Sequence, residues 1–261
     1  MEHFDRERIV GLASVVNEFA TDCLDAAIST RHMSEYEHVQ ETRTAFLLLR
    51  GHAKALLALA DLGAESYPSG WPIARSMFEV GVRTAWRMDV DDPYVAEGRW
   101  ATWLARFVVH ERARSTSLDS EGAHEWAREA RSRASQADAF HSQFIDLLGC
   151  KGVHPAEREL SMKRILKSLG QPDHRYQIYA DASEQLHGSF VAMEAYSRDL
   201  GVKRRIGEFA HWRDWVPPLR TGFVGVQALS HVFEDRIESG RMSPVIAAAE
   251  NAWEATLRRG A

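Results

Sequence analysis

DRERIVGLASVVNEFATDCLDAAIS, residues 5–29, decides the class of fold. Its apolar residues Ile9, Leu12, Val15, Val16, Phe19, Cys23 and Leu24 recur at spacings of three and four. That is the stripe of an amphipathic helix, not the alternation of a strand. The same period continues outward. A second helix runs from about Ser34, an N-cap with Glu37 three residues on, to Leu62–Gly63. The loop AESYPSG (64–70) leads into WPIARSMFEVGVRTAWRMDV (71–90), where Pro72 suits a first helical turn. DDP at 91–93 opens a helix through Trp100, Trp103, Leu104, Phe107 and Val108.

Residues 121–148 read as a long polar helix that ends in the apolar patch FIDLLG. CKGVHP (150–155) is the strongest internal break, and GQPD (170–173) interrupts the chain again before a helix over 175–197. RDWVPPLRTG (213–222) reads as irregular, with two last helices at about 222–239 and 243–258. Strand alternation is clear nowhere, and no repeat or flexible linker stands out. The expected fold is all-α: an irregular helical bundle forming a single domain over 1–261, in which 121–170, poorer in apolar residues, is a more exposed helical subdomain.

Composition narrows the functional classes. The 261 residues are 45% hydrophobic and 26% charged, as in an ordinary globular protein, and can bury a core without staples. A formal charge of −5 and a pI near 6.2 provide no overall basic field for nucleic acid. Two distant cysteines, Cys23 and Cys150, argue against a disulfide framework or a cysteine-based zinc site. The start MEHFDRERIV has no apolar signal-peptide core, and AFLLL (45–49) is cut off by Arg50. The expectation is a cytoplasmic protein with no membrane partner.

Two polar stripes stand out. In YADASEQLHGSF (179–190), Tyr179, Ser183 and His187 step by four and share one helix face, followed by Gly188. His187 suits a general acid or base near neutral pH, with Tyr179 and Ser183 positioning a substrate. The bland alternative is a polar seam between packed helices. In WPIARSMFEVGVR, Arg75, Glu79 and Arg83 also step by four, and Arg87 continues the series. This set is either a solvated face opposite Ala74, Met77, Phe78, Val82 and Ala85 or a site. Its exclusive use of Arg favours fixed pairing with carboxylate or phosphate.

The residues Arg75, Ser76 and Glu79 of the first helix, with Tyr179, Ser183, His187 and Gly188 of the second, resemble the uncharacterised helical family catalogued as domain of unknown function 5677. The likeness spans roughly residues 40–235. It implies a helical bundle with a pocket between these two helices, and no established reaction. The chain also has a general likeness to HEPN-type bundles, many of which are metal-independent ribonucleases using an R-x4-6-H motif. Arg31–His38 and Arg205–His211 have such a spacing, but roughly three arise by chance in so Arg-rich a chain.

E-x-x-H occurs four times, at Glu35–His38, Glu121–His124, Glu184–His187 and Glu208–His211, against about one by chance. Dimetal carboxylate bundles use two such helices plus two lone Glu, and Glu79 would suit a lone ligand.

The leading expectation is therefore a bundle in which the Arg75 helix packs near the His187 helix. His187, Arg75, Glu79, Tyr179 and Ser183 form the catalytic set, with no metal and no cofactor. Arg75 would hold an anionic group, Glu79 would orient Arg75 or His187, and cleavage of an RNA phosphodiester is the most concrete chemistry. The partners are RNA or another anionic ligand, and a homodimer is open to the chain. The competing classes are a non-enzymatic regulatory or interaction protein and a dimetal oxygenase.

Overall fold

The computed structural model describes residues 5–30, 35–155, 159–171, 173–186, 210–237 and 240–258, with the backbone of 197–199 and 204–206. In chain order the α-helices among them are α1 (Arg6–Ser29), α2 (Glu37–Leu62), α3 (Tyr67–Met88), α4 (Pro93–Ser120), α5 (His124–Gly149), α6 (Met162–Ser168), α7 (Asp173–Leu186), α8 (Val216–Ile237) and α9 (Met242–Arg258). Short 3-10 turns at Ala64–Ser66 and Trp212–Trp215 lead into α3 and α8. The fold is an all-α helical bundle. No helix among the described residues is long and apolar enough to cross a membrane.

Two helix boundaries and one hairpin differ from the sequence reading. α3 begins at Tyr67, inside the expected loop, so Pro68 lies in its first turn and Pro72 falls within the helix. α8 begins at Val216, because Pro217 and Pro218 occupy a first turn whose N–H groups have no helical acceptor anyway. One antiparallel hairpin, β1 (Ser197–Asp199) with β2 (Arg204–Ile206), pairs Ser197 with Ile206 and Asp199 with Arg204. Three-residue strands are too short for a period of two to show. Ser34, the expected cap of α2, and the later part of the 175–197 helix lie outside the described residues.

The chain divides into two compact units. The first comprises Met1–Ser34, Val39–Trp86 and Met162–Ala261. Asp5 caps α1, accepting a 2.9 Å hydrogen bond from Arg8 N–H. The periodic residues of α1, from Ile9 to Leu24, are buried. Phe19 of α1 meets Phe223 of α8 at 5.1 Å between ring centroids, and Phe223 meets Trp253 of α9 at 4.9 Å. Trp215, fully buried, donates its Nε1–H to Gly63 O at 3.2 Å. Cys23 is also buried, its Sγ 3.1 Å from Ser230 Oγ. α3 and α8 touch backbone to backbone, since a Cβ on Gly81 would lie 2.0 Å from Gly225 O. Only glycine at both positions permits that approach.

The second unit comprises Glu35–His38 and Arg87–Ser161. Asp92 caps α4 with Pro93 in its first turn. α4 and α5 form a helical hairpin whose turn holds Gly122 at φ 79°, a left-handed conformation that suits glycine. Ala127, Ala130 and Ala134 are the buried small residues of α5, and Trp100 meets Phe140 and Phe144 edge-on. Buried charges here are all paired. His38 Nδ1 lies 2.6 Å from Glu97 Oε1, which also accepts the His38 N–H at 2.9 Å. Arg87 and Arg106 both bond Glu159, at 3.1 and 3.0 Å. Glu111 receives Arg133 and Arg114; burial pushes its carboxyl up, but these two arginines outweigh it and hold it below the usual range.

Candidate anion-binding site

The site lies within the first unit, where α3 meets α7. On α3, Ala74, Met77, Phe78, Val82 and Ala85 are fully buried, which turns the Arg75–Glu79–Arg83 stripe towards the periphery. The stripe is nevertheless partly covered: the side chains of Arg75, Glu79 and Arg83 are 22%, 31% and 16% exposed. Tyr179 of α7 supplies part of the cover. Its ring stacks on Phe78 at 6.1 Å, and its hydroxyl accepts a 3.2 Å hydrogen bond from Arg75 Nη2. The Arg75 guanidinium carbon lies 5.3 Å from the same ring's centroid.

Charge pairing within the stripe is unequal. Arg83 donates to Glu79 Oε1 through both Nε and Nη2, at 3.1 and 3.0 Å. Arg75 reaches the other carboxylate oxygen only at 3.9 Å, beyond hydrogen-bonding distance. Its Nε–H is buried and meets no acceptor among the described residues. Two guanidinium groups thus share one carboxylate, and the nearer hydrogen bond of Arg75 goes to a neutral phenol. A planar cation with an unused N–H suits an incoming oxyanion.

The other expected site residues take different places. Ser183 donates its hydroxyl hydrogen to Tyr179 O at 2.8 Å, a bond inside α7. His187 lies outside the described residues, as does Gly188. Arg87, which the spacing placed in the same stripe, belongs to the second unit, where Trp103 and Glu159 hold it. Of the E-x-x-H pairs, His38 is engaged by Glu97, and His124 by Asp119 on an exposed surface. Glu208 and His187 lie outside the described residues. No group of three His, Cys, Asp or Glu among the described residues is arranged to hold a metal ion.

Three polar residues join the region without having been singled out in the sequence. Ser76 Oγ lies 3.2 Å from His52 Nε2 of α2, and partial burial holds the His52 pKa below its ordinary value. Arg175 stands one turn before Tyr179 on α7 and donates to Gln227 Oε1 of α8 at 3.1 Å. Burial, and then the charge of Arg220, lower the pKa of Arg175, with Glu250 acting the other way. Arg175 had a legible signal, since it extends the four-residue stripe by one step. His52 and Arg220 had none.

No protein-family model, no curated protein and no solved structure matches the chain. The family likeness of the two stripes therefore rests on their motif residues alone.

Proposed function

We propose that the protein binds an anionic group at Arg75 and Tyr179, most concretely an RNA phosphodiester, and cleaves it without a metal ion. The supporting observation is the incomplete pairing of Arg75: a partly buried cation, 3.9 Å from a carboxylate that Arg83 already holds, with a buried N–H that meets no acceptor among the described residues. In this reading His187, next in sequence after the last residue of α7, takes the proton of the ribose 2′-hydroxyl. The 2′-oxygen attacks phosphorus, the bond from phosphorus to the 5′-oxygen breaks, and the histidine proton is returned to that leaving oxygen. Arg75 stabilises the charge on the phosphoryl oxygens, and Tyr179 holds Arg75 in place.

A second reading, a non-enzymatic interaction protein, is favoured by the self-contained bonds of Ser183 and Glu79. Chelator-treated protein, incubated with single-stranded RNA as wild type and as His187→Ala, separates the two. Cleavage lost in a variant that melts with wild type supports the enzyme. A wild type that leaves RNA intact, with a His187→Ala variant that melts several degrees lower, overturns it in favour of a structural network.

A further inference from the structure

α2 is apolar on both of its faces. Phe46, Leu49, Ala53, Leu56 and Ala60 point into the first unit and are fully buried. On the opposite side Leu47, Leu48, Gly51, Ala55, Ala58 and Leu62 fall within about 100° of arc, over about 23 Å of helix. No charged residue interrupts that arc between Leu47 and Leu62. Leu47, Leu48 and Leu62 are 49%, 46% and 73% exposed. A helix whose outer side faces water ordinarily carries polar residues there, and one that is apolar all round is buried all round. A continuous exposed strip of this kind marks a surface made to be covered.

The strip matches its own reverse about the level of His52 and Ala53. Arg43 and Asp61 stand about five helical turns apart, at the same rotation about the axis, on one edge of it. Thr44 and Leu62 are related in the same way within it. Two large residues on one side of that level, Leu47 and Leu48, are balanced by two small ones on the other, Ala55 and Ala58. A twofold axis at that level, perpendicular to the helix, sets a second α2 antiparallel so that each edge meets its own counterpart. Leu47 and Leu48 then enter the hollows over Ala55 and Ala58 of the copy, Leu62 covers Thr44, and Arg43 faces Asp61. Arg43 is held at its edge by a 3.3 Å hydrogen bond to Ala27 O. Asp61 keeps 57% of its side chain exposed beside Arg6, which leaves it open to a second arginine. Arg50 and Lys54 share that edge with like charge; both are exposed and long, so their stems line it while their charges turn to water.

We infer that a second copy of this chain covers the outer face of α2, in an antiparallel α2–α2 pair with twofold symmetry. A partner of different sequence does not call for a strip that matches its own reverse, with opposite charges five turns apart; an interface between identical surfaces does. The strip is smaller than the roughly 800 Å² per partner of a standard interface, since about 23 Å of helix is about 10–12 Å across. The dimer is therefore reversible, with a dissociation constant on the order of 10 µM. It belongs to α2 and is independent of the reading of Arg75.

Sedimentation equilibrium of the full chain tests it. Wild type should be a 29.5 kDa monomer below about 1 µM and approach twice that mass above about 100 µM. Leu48→Glu places a charge at an exposed position, so it should melt with wild type and weaken dimerisation at least about tenfold. Disulfide formation in a Cys150→Ser background reads the orientation. Thr44→Cys mixed with Leu62→Cys should give a cross-linked heterodimer under mild oxidation, while neither variant cross-links with itself. If Leu48→Glu fails to fold, this cross-link decides. Each variant cross-linking only with itself would make the helices parallel and overturn the twofold pair, as would the absence of any cross-link. A folded Leu48→Glu protein that dimerises like wild type overturns the assignment to α2. Wild type that stays at 29.5 kDa throughout the range overturns the dimer itself.

Discussion

Gly81 of α3 and Gly225 of α8 meet at their backbones, each occupying the space a side chain on the other helix would need. A methyl group on Gly81 would sit 2.0 Å from Gly225 O, and one on Gly225 would sit 2.5 Å from Met77 O. The helix that carries Arg75 and Glu79 is set in place by this crossing. Gly81→Ala must push two helices apart, and overpacking of that kind costs about 3 kcal/mol. Gly51, exposed on α2 with nothing within 4 Å, provides the opposite sign: Gly51→Ala should stabilise by about 0.5–1 kcal/mol through helix propensity alone. Urea unfolding of both variants checks the pair, and a Gly81→Ala protein as stable as wild type would show that the crossing relaxes freely.

Arg75→Lys should damage the anion site nearly as much as Arg75→Ala. The guanidinium reaches Tyr179 Oη with Nη2, while its buried Nε–H meets no acceptor among the described residues. A lysine ammonium keeps the charge but offers one compact group, so it loses either the phenol or the anion. Phosphate affinity should fall at least about fivefold in both variants. A lysine variant with wild-type affinity would mean that charge suffices and geometry does not matter.

Acid should weaken the first unit through His52. Partial burial disfavours its charged form, so its pKa in the folded protein lies below the ordinary value. The unfolded chain then binds a proton first as pH falls. Stability is fully present above about pH 6.5 and declines below it. Replacing His52 by Gln should flatten the decline between about pH 7 and pH 5. The His52 ring resonance should titrate with a midpoint below that of a free histidine; a higher midpoint would reverse the sign.

The two cysteines should differ sharply in reactivity. Burial pushes the Cys23 thiol up to about 12, against the opposing hydrogen bond to Ser230. At pH 8 about one thiol in 10⁴ would be thiolate, and the site is closed to reagent. Cys150 is exposed. An aromatic disulfide reagent should release one equivalent of chromophore from native protein and two after denaturation. Two equivalents from the native state would place Cys23 within reach of solvent.

Much of the fold was legible because helical burial leaves a period in the sequence. Ile9 to Leu24 and Ala74 to Ala85 were identified as buried faces by spacing alone, and they are buried. Arg75, Glu79 and Tyr179 were legible as stripes for the same reason. What stayed hidden depends on contacts between distant residues. Nothing near Gly81 in sequence announces Gly225, and nothing near His52 announces Ser76, because a helix crossing has no one-dimensional signature. Arg87 misled for the converse reason: the four-residue step was right for the helix, but its guanidinium finds Glu159. The early start of α3 was hidden by Pro68 and Gly70, loop residues that a first turn also accepts.

The His38–Glu97 pair has a consequence for how this protein is made. Glu35–His38 belongs to the same compact unit as Arg87–Ser161, yet it precedes that segment by almost fifty residues of chain. As the polypeptide leaves the ribosome, His38 emerges long before Glu97, the carboxylate it pairs with. The second unit therefore cannot close behind the ribosome piece by piece; its first four residues must wait for its last seventy-five. For the same reason, no continuous fragment beginning at Arg87 contains the whole unit. Such a fragment would place a buried carboxylate where its base has been left behind.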